Sequence, residues 1–260
     1  MYLTEVMLNL LRAKVQKKVN LIYDENQDIS MLPLISLHNH TTFSDGKNFP
    51  EQLIEQAIEN KLKAVAITDH FEYFTGFFKF KSNIYLYFKI IERLKEKYSN
   101  KIKIYSGLEI DFKIFDEADF PFEYIKQIDL ILCERIFSFE DLQKLVKLRK
   151  EFTFKVGLAH PSFDKFENLN KLVNILEKNK IFVELNPSCY KYFSPQDRPD
   201  LPEHPLLFET QEDFFKLIKN KNIELTIGTD SHRKNDLMEN IDNAYQFIKK
   251  LKLEENLIKI

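Results

Sequence analysis

The sequence predicts an α/β fold built from repeated strand–helix units, on three observations. Short apolar runs rich in Ile, Val and Leu alternate with longer stretches of helical period. No Gly-, Pro- or Ser-rich linker divides them. Histidine and acidic motifs fall at the ends of the apolar runs or just after them. At 260 residues the chain matches the size at which βα barrels form a single unit.

The elements follow in order. Tyr2 to Leu21 reads as an amphipathic helix, interrupted by Arg12, Lys14, Lys17 and Lys18, with no apolar span long enough to cross a bilayer. Residues 1–30 are therefore expected to form an N-terminal helical extension, and 31–260 the barrel domain. Strands are expected at Leu34–Leu37, Ala64–Thr68, Ile102–Glu109, Asp129–Leu132, Lys155–Ala159, Ile181–Leu185 and Ile223–Gly228, each followed by a helix. The helices include Pro50–Lys61, Tyr85–Tyr98, Glu140–Glu151, Leu169–Lys178, Thr210–Lys219 and Asp236–Leu251. Asn186 to Pro205 is proline-rich and aperiodic, and is expected to be a long loop over the site.

Composition narrows the partners. Hydrophobic residues make up 44% and charged residues 30%, with a net charge of −2, so no overall field favours nucleic acid or a membrane surface. A small molecule is the expected partner. With only Cys133 and Cys189, and no CxxC, neither a disulfide framework nor a thiolate zinc site is suggested, and a reducing cytoplasm fits.

The chemistry-bearing residues lie in four histidine motifs: His38-Asn39-His40, Thr68-Asp69-His70, Ala159-His160-Pro161 and Asp230-Ser231-His232. Because side chains alternate along a strand, His38/His40 and Asp230/His232 each present two groups on one face. Each pair is suited to chelate an ion. Asp45 and Glu109 join them as ligand candidates, Glu109 because a carboxylate in an apolar strand is costly to bury without a partner. Asp111 is its rival by the same alternation. Imidazole and carboxylate without thiolate suit manganese, zinc, iron or cobalt. Eight ligands, His38, His40, Asp45, His70, Glu109, His160, Asp230 and His232, exceed the needs of one ion. Two or three ions could clamp a phosphoryl group and activate bound water as the nucleophile.

Taken in order, Leu37-His38-Asn39-His40-Thr41, Ser44-Asp45-Gly46, Thr68-Asp69-His70, Gly107-Leu108-Glu109, His160-Pro161 and Gly228-Thr229-Asp230-Ser231-His232 make the chain similar to the PHP (polymerase and histidinol phosphatase) family. The resemblance implies a distorted (β/α)7 TIM-like barrel with up to three metal ions at its carboxyl rim, hydrolysing phosphate esters. It groups His38, His40, Glu109 and Asp230 around one ion and Asp45, His70 and His232 around another, with Glu109 bridging toward an ion shared with His160. Family members usually carry a further histidine after the fourth strand, where this chain has Ile136. Glu134, two residues earlier, shares that face and is a candidate oxygen ligand. A slip of register would bring Cys133 or Arg135 forward instead.

Arg135, Arg198 and Arg233 are candidates to hold a phosphate, with Arg233 favoured because it adjoins His232. His204 is a candidate proton donor. The leading expectation is a phosphomonoesterase acting on a small phosphorylated metabolite, with histidinol phosphate suggested by the family. Two alternatives stand beside it. One is a phosphodiesterase or nuclease, for which Phe77-Phe78-Lys79-Phe80-Lys81 with Tyr85, Tyr87 and Phe88 would stack bases. The other is a weakly active metal-binding barrel with a binding role. The sequence leaves the metal, the substrate and the oligomeric state open.

Overall fold

The computed structural model describes residues 32–75, 77, 82–115, 119–120, 122–187 and 205–259. The expected N-terminal extension at 1–30 and most of the expected loop from Asn186 to Pro205 lie outside them. Seven strands run in chain order: β1 (Ile35–Ser36), β2 (Ala64–Ile67), β3 (Lys103–Asp111), β4 (Leu130–Glu134), β5 (Lys155–Leu158), β6 (Ile181–Leu185) and β7 (Leu225–Ile227). Each pairs in parallel with the next. The first strand meets the last: Leu37 N–H donates to Ile227 C=O at 2.8 Å, and Asp230 N–H to His38 C=O at 3.0 Å. The sheet is thus a nearly closed barrel of the (β/α)7 type.

The helices are α1 (Pro50–Glu59), the single turn α2 (Glu72–Thr75), α3 (Ile84–Lys97), α4 (Phe139–Glu151), α5 (Leu169–Asn179), α6 (Glu212–Ile218) and α7 (Ile241–Leu251). Asn83, Ser138 and Asn168 start α3, α4 and α5, each side chain accepting a bond from a backbone N–H in the first turn. The core is aliphatic and aromatic, with Val65, Ile67, Leu108, Val156, Val183, Leu225 and Ile227 all at zero exposure.

Three expectations need correction. Among its described residues, the segment between β3 and β4 carries a 3-10 helix, Phe122–Gln127, where an α-helix was expected after every strand. Its aromatics do not recur on a helical stripe: Phe120 packs edge-on against Phe122 at 5.0 Å and on Phe152 at 4.9 Å, forming a cluster with Phe154. The helix expected from Asp236 begins at Ile241, because Lys234–Asp236 is a 3-10 turn and Asn240 sits in the left-handed region at φ 53°. The helix expected from Thr210 starts at Glu212, behind another 3-10 turn, Glu209–Gln211.

Candidate metal centre

The carboxyl ends of the strands converge on one rim, and their backbone geometry is enforced by buried hydrogen bonds. Asn39 is the pin. Its amide donates to Ser36 C=O at 3.0 Å and Ala66 C=O at 2.9 Å, while its oxygen accepts from Ser36 Oγ at 2.9 Å and Ser231 Oγ at 3.0 Å. This one side chain ties β1, β2 and the segment after β7 together, flanked by His38 and His40. Asp69 does the same for the following loop. Its carboxylate accepts from Thr41 N–H and Thr41 Oγ1, both at 2.7 Å, and from Ser44 N–H at 3.1 Å. Gly46 then passes so close to the His40 backbone that a Cβ would stand 2.4 Å from its carbonyl oxygen. Asp45 is aimed inward as a result.

Two ligand candidates sit on strained backbone. His160 has φ 25° and Asp230 φ 52°, values that residues other than glycine adopt at a cost. Each is held by a hydrogen bond at its own N–H, His160 to Glu184 Oε2 at 2.6 Å and Asp230 to His38 C=O at 3.0 Å. Glu109 lies at the centre, paired across a β-bridge with His70. One of its oxygens is 3.0 Å from His160 Nε2 and 3.3 Å from His38 Nε2; the other is 3.1 Å from His70 Nδ1 and 3.3 Å from His40 Nε2.

Three groups of donor atoms lie within chelating range of one another: His38, His40 and Glu109; His40, Asp45, His70 and His232; and His70, Glu109 and Glu134. Asp230 joins the first group, its Oδ1 3.0 Å from His40 Nε2 and 3.7 Å from His38 Nε2. Asp45 Oδ2 is 3.2 Å from His232 Nε2 in the second. Glu134 stands 3.8 Å from His160 Nε2 on the far side of Glu109. Ile136 is buried and only lines the cavity beside it.

These donors fit divalent cations on two grounds. Asp45 Oδ1 is buried and has no hydrogen-bond partner, which is costly unless a cation satisfies it. His38 Nε2 and His40 Nε2 face each other at 3.1 Å, so they cannot both carry a proton. Ligand atoms around one tetrahedral ion with bonds of about 2.0–2.1 Å stand roughly 3.3 Å apart, the spacing shared by this pair and their carboxylate neighbours.

The electrostatics agree. Burial alone would push Glu109 up, but His38, His160 and His40 outweigh it and hold the carboxyl well below the usual range. Asp45 is likewise lowered to about 2, the His232 hydrogen bond and the neighbouring imidazoles overcoming desolvation. Burial would lower His40 and His160, yet the surrounding carboxylates raise them to about 10 and about 9. The rim draws positive charge inward. Cys133 lines the same cavity, but burial pushes its thiol pKa up, so a thiolate ligand is disfavoured.

A cavity of about 470 Å³ opens over the carboxylate side, lined among others by Glu109, Glu134, Arg135, His160 and Asp230. Arg135 reaches its mouth from strained backbone at φ 62°, with Nη1 2.6 Å from Asp111 Oδ2. Asp111, the rival of Glu109, is thereby engaged with Arg135 rather than with the histidines. Arg233 is exposed and is not among the residues lining this cavity. Arg198 and His204 lie outside the described residues.

Glu184 is a residue of this rim that the sequence reading misses. It is 1% exposed in β6, with Oε1 2.7 Å from His38 Nδ1. Its signal was available, since it too is a carboxylate in an apolar strand.

A seven-stranded parallel barrel with histidines and carboxylates converging on its carboxyl rim defines a class of metal-binding βα-barrel proteins. Residues 36–186 match the PHP domain family, and the chain belongs to it. It is 26% identical over 239 residues to a probable histidinol-phosphatase of Thermotoga maritima, covering 85% of this chain and 94% of that protein. A histidinol-phosphatase of Lactococcus lactis is 30% identical over 99 residues, covering 35% of this chain and 37% of the relative. Among solved structures, the histidinol phosphate phosphatase of Lactococcus lactis, complexed with zinc, L-histidinol and phosphate, superposes with a TM-score of 0.58 at 22% identity, over 85% of this chain and 94% of that one. No helix among the described residues is long and apolar enough to cross a membrane.

Proposed function

We propose that this chain is a metal-dependent phosphomonoesterase acting on a small phosphorylated metabolite, with histidinol phosphate the first substrate to test. The observation that carries the reading is the juxtaposition of an over-complete nitrogen and oxygen donor set with a cavity of about 470 Å³ whose mouth holds a guanidinium. That volume is in the range of small-molecule sites. The family and the relatives named as histidinol-phosphatases support the reaction class and suggest the substrate.

His38, His40, Glu109 and Asp230 would hold one ion, and Asp45, His70 and His232 a second. Glu109, His160 and Glu134 would serve a third position at the cavity. Such ions polarise phosphoryl oxygens and make water nucleophilic near neutral pH. The residues themselves do the rest. Glu109 spans the groups and fixes their separation. His232 Nδ1 lies 2.9 Å from Asp230 C=O, to which it donates, so its Nε2 is free to bind. Arg135 keeps further N–H donors beyond the one engaged with Asp111, and these can face a phosphate.

The test is elemental analysis of protein purified without added metal, paired with hydrolysis of histidinol phosphate and of an aryl phosphate monoester and diester. Two or more bound ions with cleavage of the monoesters, lost in His40→Ala by more than about 100-fold, is the expected result. Preferential diester cleavage would move the assignment to a phosphodiesterase. No cleavage by the metal-loaded chain would leave a binding role in its place.

A further inference from the structure

The residue that couples the ligand groups lies below them, in β6. Glu184 is buried, and its two oxygens are divided between two ligand candidates on opposite sides of Glu109. Oε1 is 2.7 Å from His38 Nδ1. Oε2 accepts from His160 N–H at 2.6 Å and from the Asn186 amide at 3.2 Å. Room for this carboxylate exists because residue 228 has no side chain: a Cβ on Gly228 would stand 2.1 Å from Glu184 Oε1 and 2.4 Å from His38 Cβ.

We infer that Glu184 is a positioning residue that sets His38 and His160 together, fixing the Nδ1-protonated tautomer of one and the strained backbone of the other. An ionised carboxylate only accepts. The hydrogen therefore resides on His38 Nδ1, leaving the Nε2 lone pair directed at His40, Glu109 and Asp230. The same group holds the His160 N–H where φ is 25°, which presents Nε2 to Glu109. Loss of Glu184 thus disturbs two ligand candidates, His38 and His160, without removing either. Outer partners of this kind orient and strengthen metal-bound imidazoles.

The inference rests on the metal-centre reading, so its test must separate the two. Glu184→Gln keeps the shape and removes the charge; Glu184→Asp keeps the charge and draws the carboxylate one methylene back from His38 and His160. In the full-length chain, affinity for Zn²⁺ and Mn²⁺ is measured by competition with a chromophoric chelator. Urea unfolding of the metal-free chains is followed in parallel. Both variants are expected to bind about 10–100-fold more weakly, with fewer ions retained and little change in the metal-free midpoint. Wild-type affinity in Glu184→Gln overturns the inference, and if that variant does not fold, Glu184→Asp decides on the same readout. Nitrogen-15 spectra of histidine-labelled, metal-free wild type, recorded at a pH where the His38 ring is neutral, supply an independent arm: hydrogen on Nδ1 supports the inference and hydrogen on Nε2 refutes it. If the wild type binds no metal, the metal-centre reading fails, and this arm still tests Glu184.

Discussion

The two sides of the barrel rim are built on opposite principles. At the end of β1 the ligand candidates are sealed: His38 and His40 are at zero exposure, and Asn39 and Asp69 beneath them are equally buried, whereas His70, Asp230 and His232 above them are 22%, 28% and 36% exposed. Around β4 and β5 the side chains are open, with His160 at 29%, Glu134 at 18% and Arg135 at 48% exposure. The sealed side is held by neutral and charged hydrogen bonds out of reach of water. The open side is held by a chain of ion pairs, Arg135 to Asp111 at 2.6 Å and Lys113 to Asp141 at 2.7 Å. Rigidity belongs where ions are held, and access where a substrate must enter.

The sharpest way to break this contrast is to damage the sealed side without touching a ligand. Asn39→Ala removes five hydrogen bonds joining three segments and leaves Ala66 C=O and the Ser231 hydroxyl buried without this partner. Each unsatisfied group costs about 1–3 kcal/mol, so a loss of roughly 3 kcal/mol or more is expected in urea unfolding of the metal-free chain. A loss under about 1 kcal/mol would mean the sealed side relaxes easily, and the contrast would fall.

The sealed side was also the more legible in the sequence. Its ligand candidates include the x-spaced pairs His38/His40 and Asp230/His232, and a period of two is enough to place both members on one face. All seven strands were legible for a similar reason, as short apolar runs rich in Ile, Val and Leu separated by helical periods, with no end displaced by more than two residues. What could not be read was pairing at a distance. Glu184 meets His38 across 146 positions, and local pattern carries no trace of that meeting. Its burial inside Ile181–Leu185 was a cue of the same kind that singled out Glu109. Arg135 and Arg233 both follow a strand end and the sequence favoured Arg233 for its place beside His232, yet it is Arg135, at φ 62°, that lines the cavity.

On the open side the contrast predicts the reverse outcome, a functional loss with little cost to folding. Glu134→Ala removes a half-buried carboxylate that contacts His160 at 3.8 Å and no backbone hydrogen-bond donor. Turnover of the metal-loaded chain is expected to fall by about 10–100-fold, with one ion fewer per chain and an unchanged metal-free unfolding midpoint. Glu134→His, which restores nitrogen in place of oxygen, should recover the missing ion. Full occupancy in Glu134→Ala would show that His160 and Glu109 suffice and that Glu134 serves some other purpose.

The smallest expected effect tests whether the open side's outer edge depends on charge. Asp141 Oδ2 accepts from Lys113 Nζ at 2.7 Å, from Ser138 Oγ at 2.9 Å and from Phe137 N–H at 3.2 Å, while its own N–H donates to Ser138 Oγ at 3.1 Å. This reciprocal cap sits at the start of α4, where the helix dipole favours a negative charge. Burial would push the Asp141 carboxyl up, but the bonds from Lys113, Ser138 and Phe137 outweigh it and lower its pKa. A carboxyl whose folded pKa lies below its unfolded value of about 3.9 adds stability above that pH and loses it as pH falls through the folded value. Asp141→Asn should therefore cost about 1 kcal/mol at pH 7, with the gap to wild type narrowing below about pH 4. Unfolding curves at pH 7 and pH 3 that differ by the same amount would show that shape and hydrogen bonding, which asparagine keeps, secure this edge. Ion pairing would then lose its place in the contrast between the two sides.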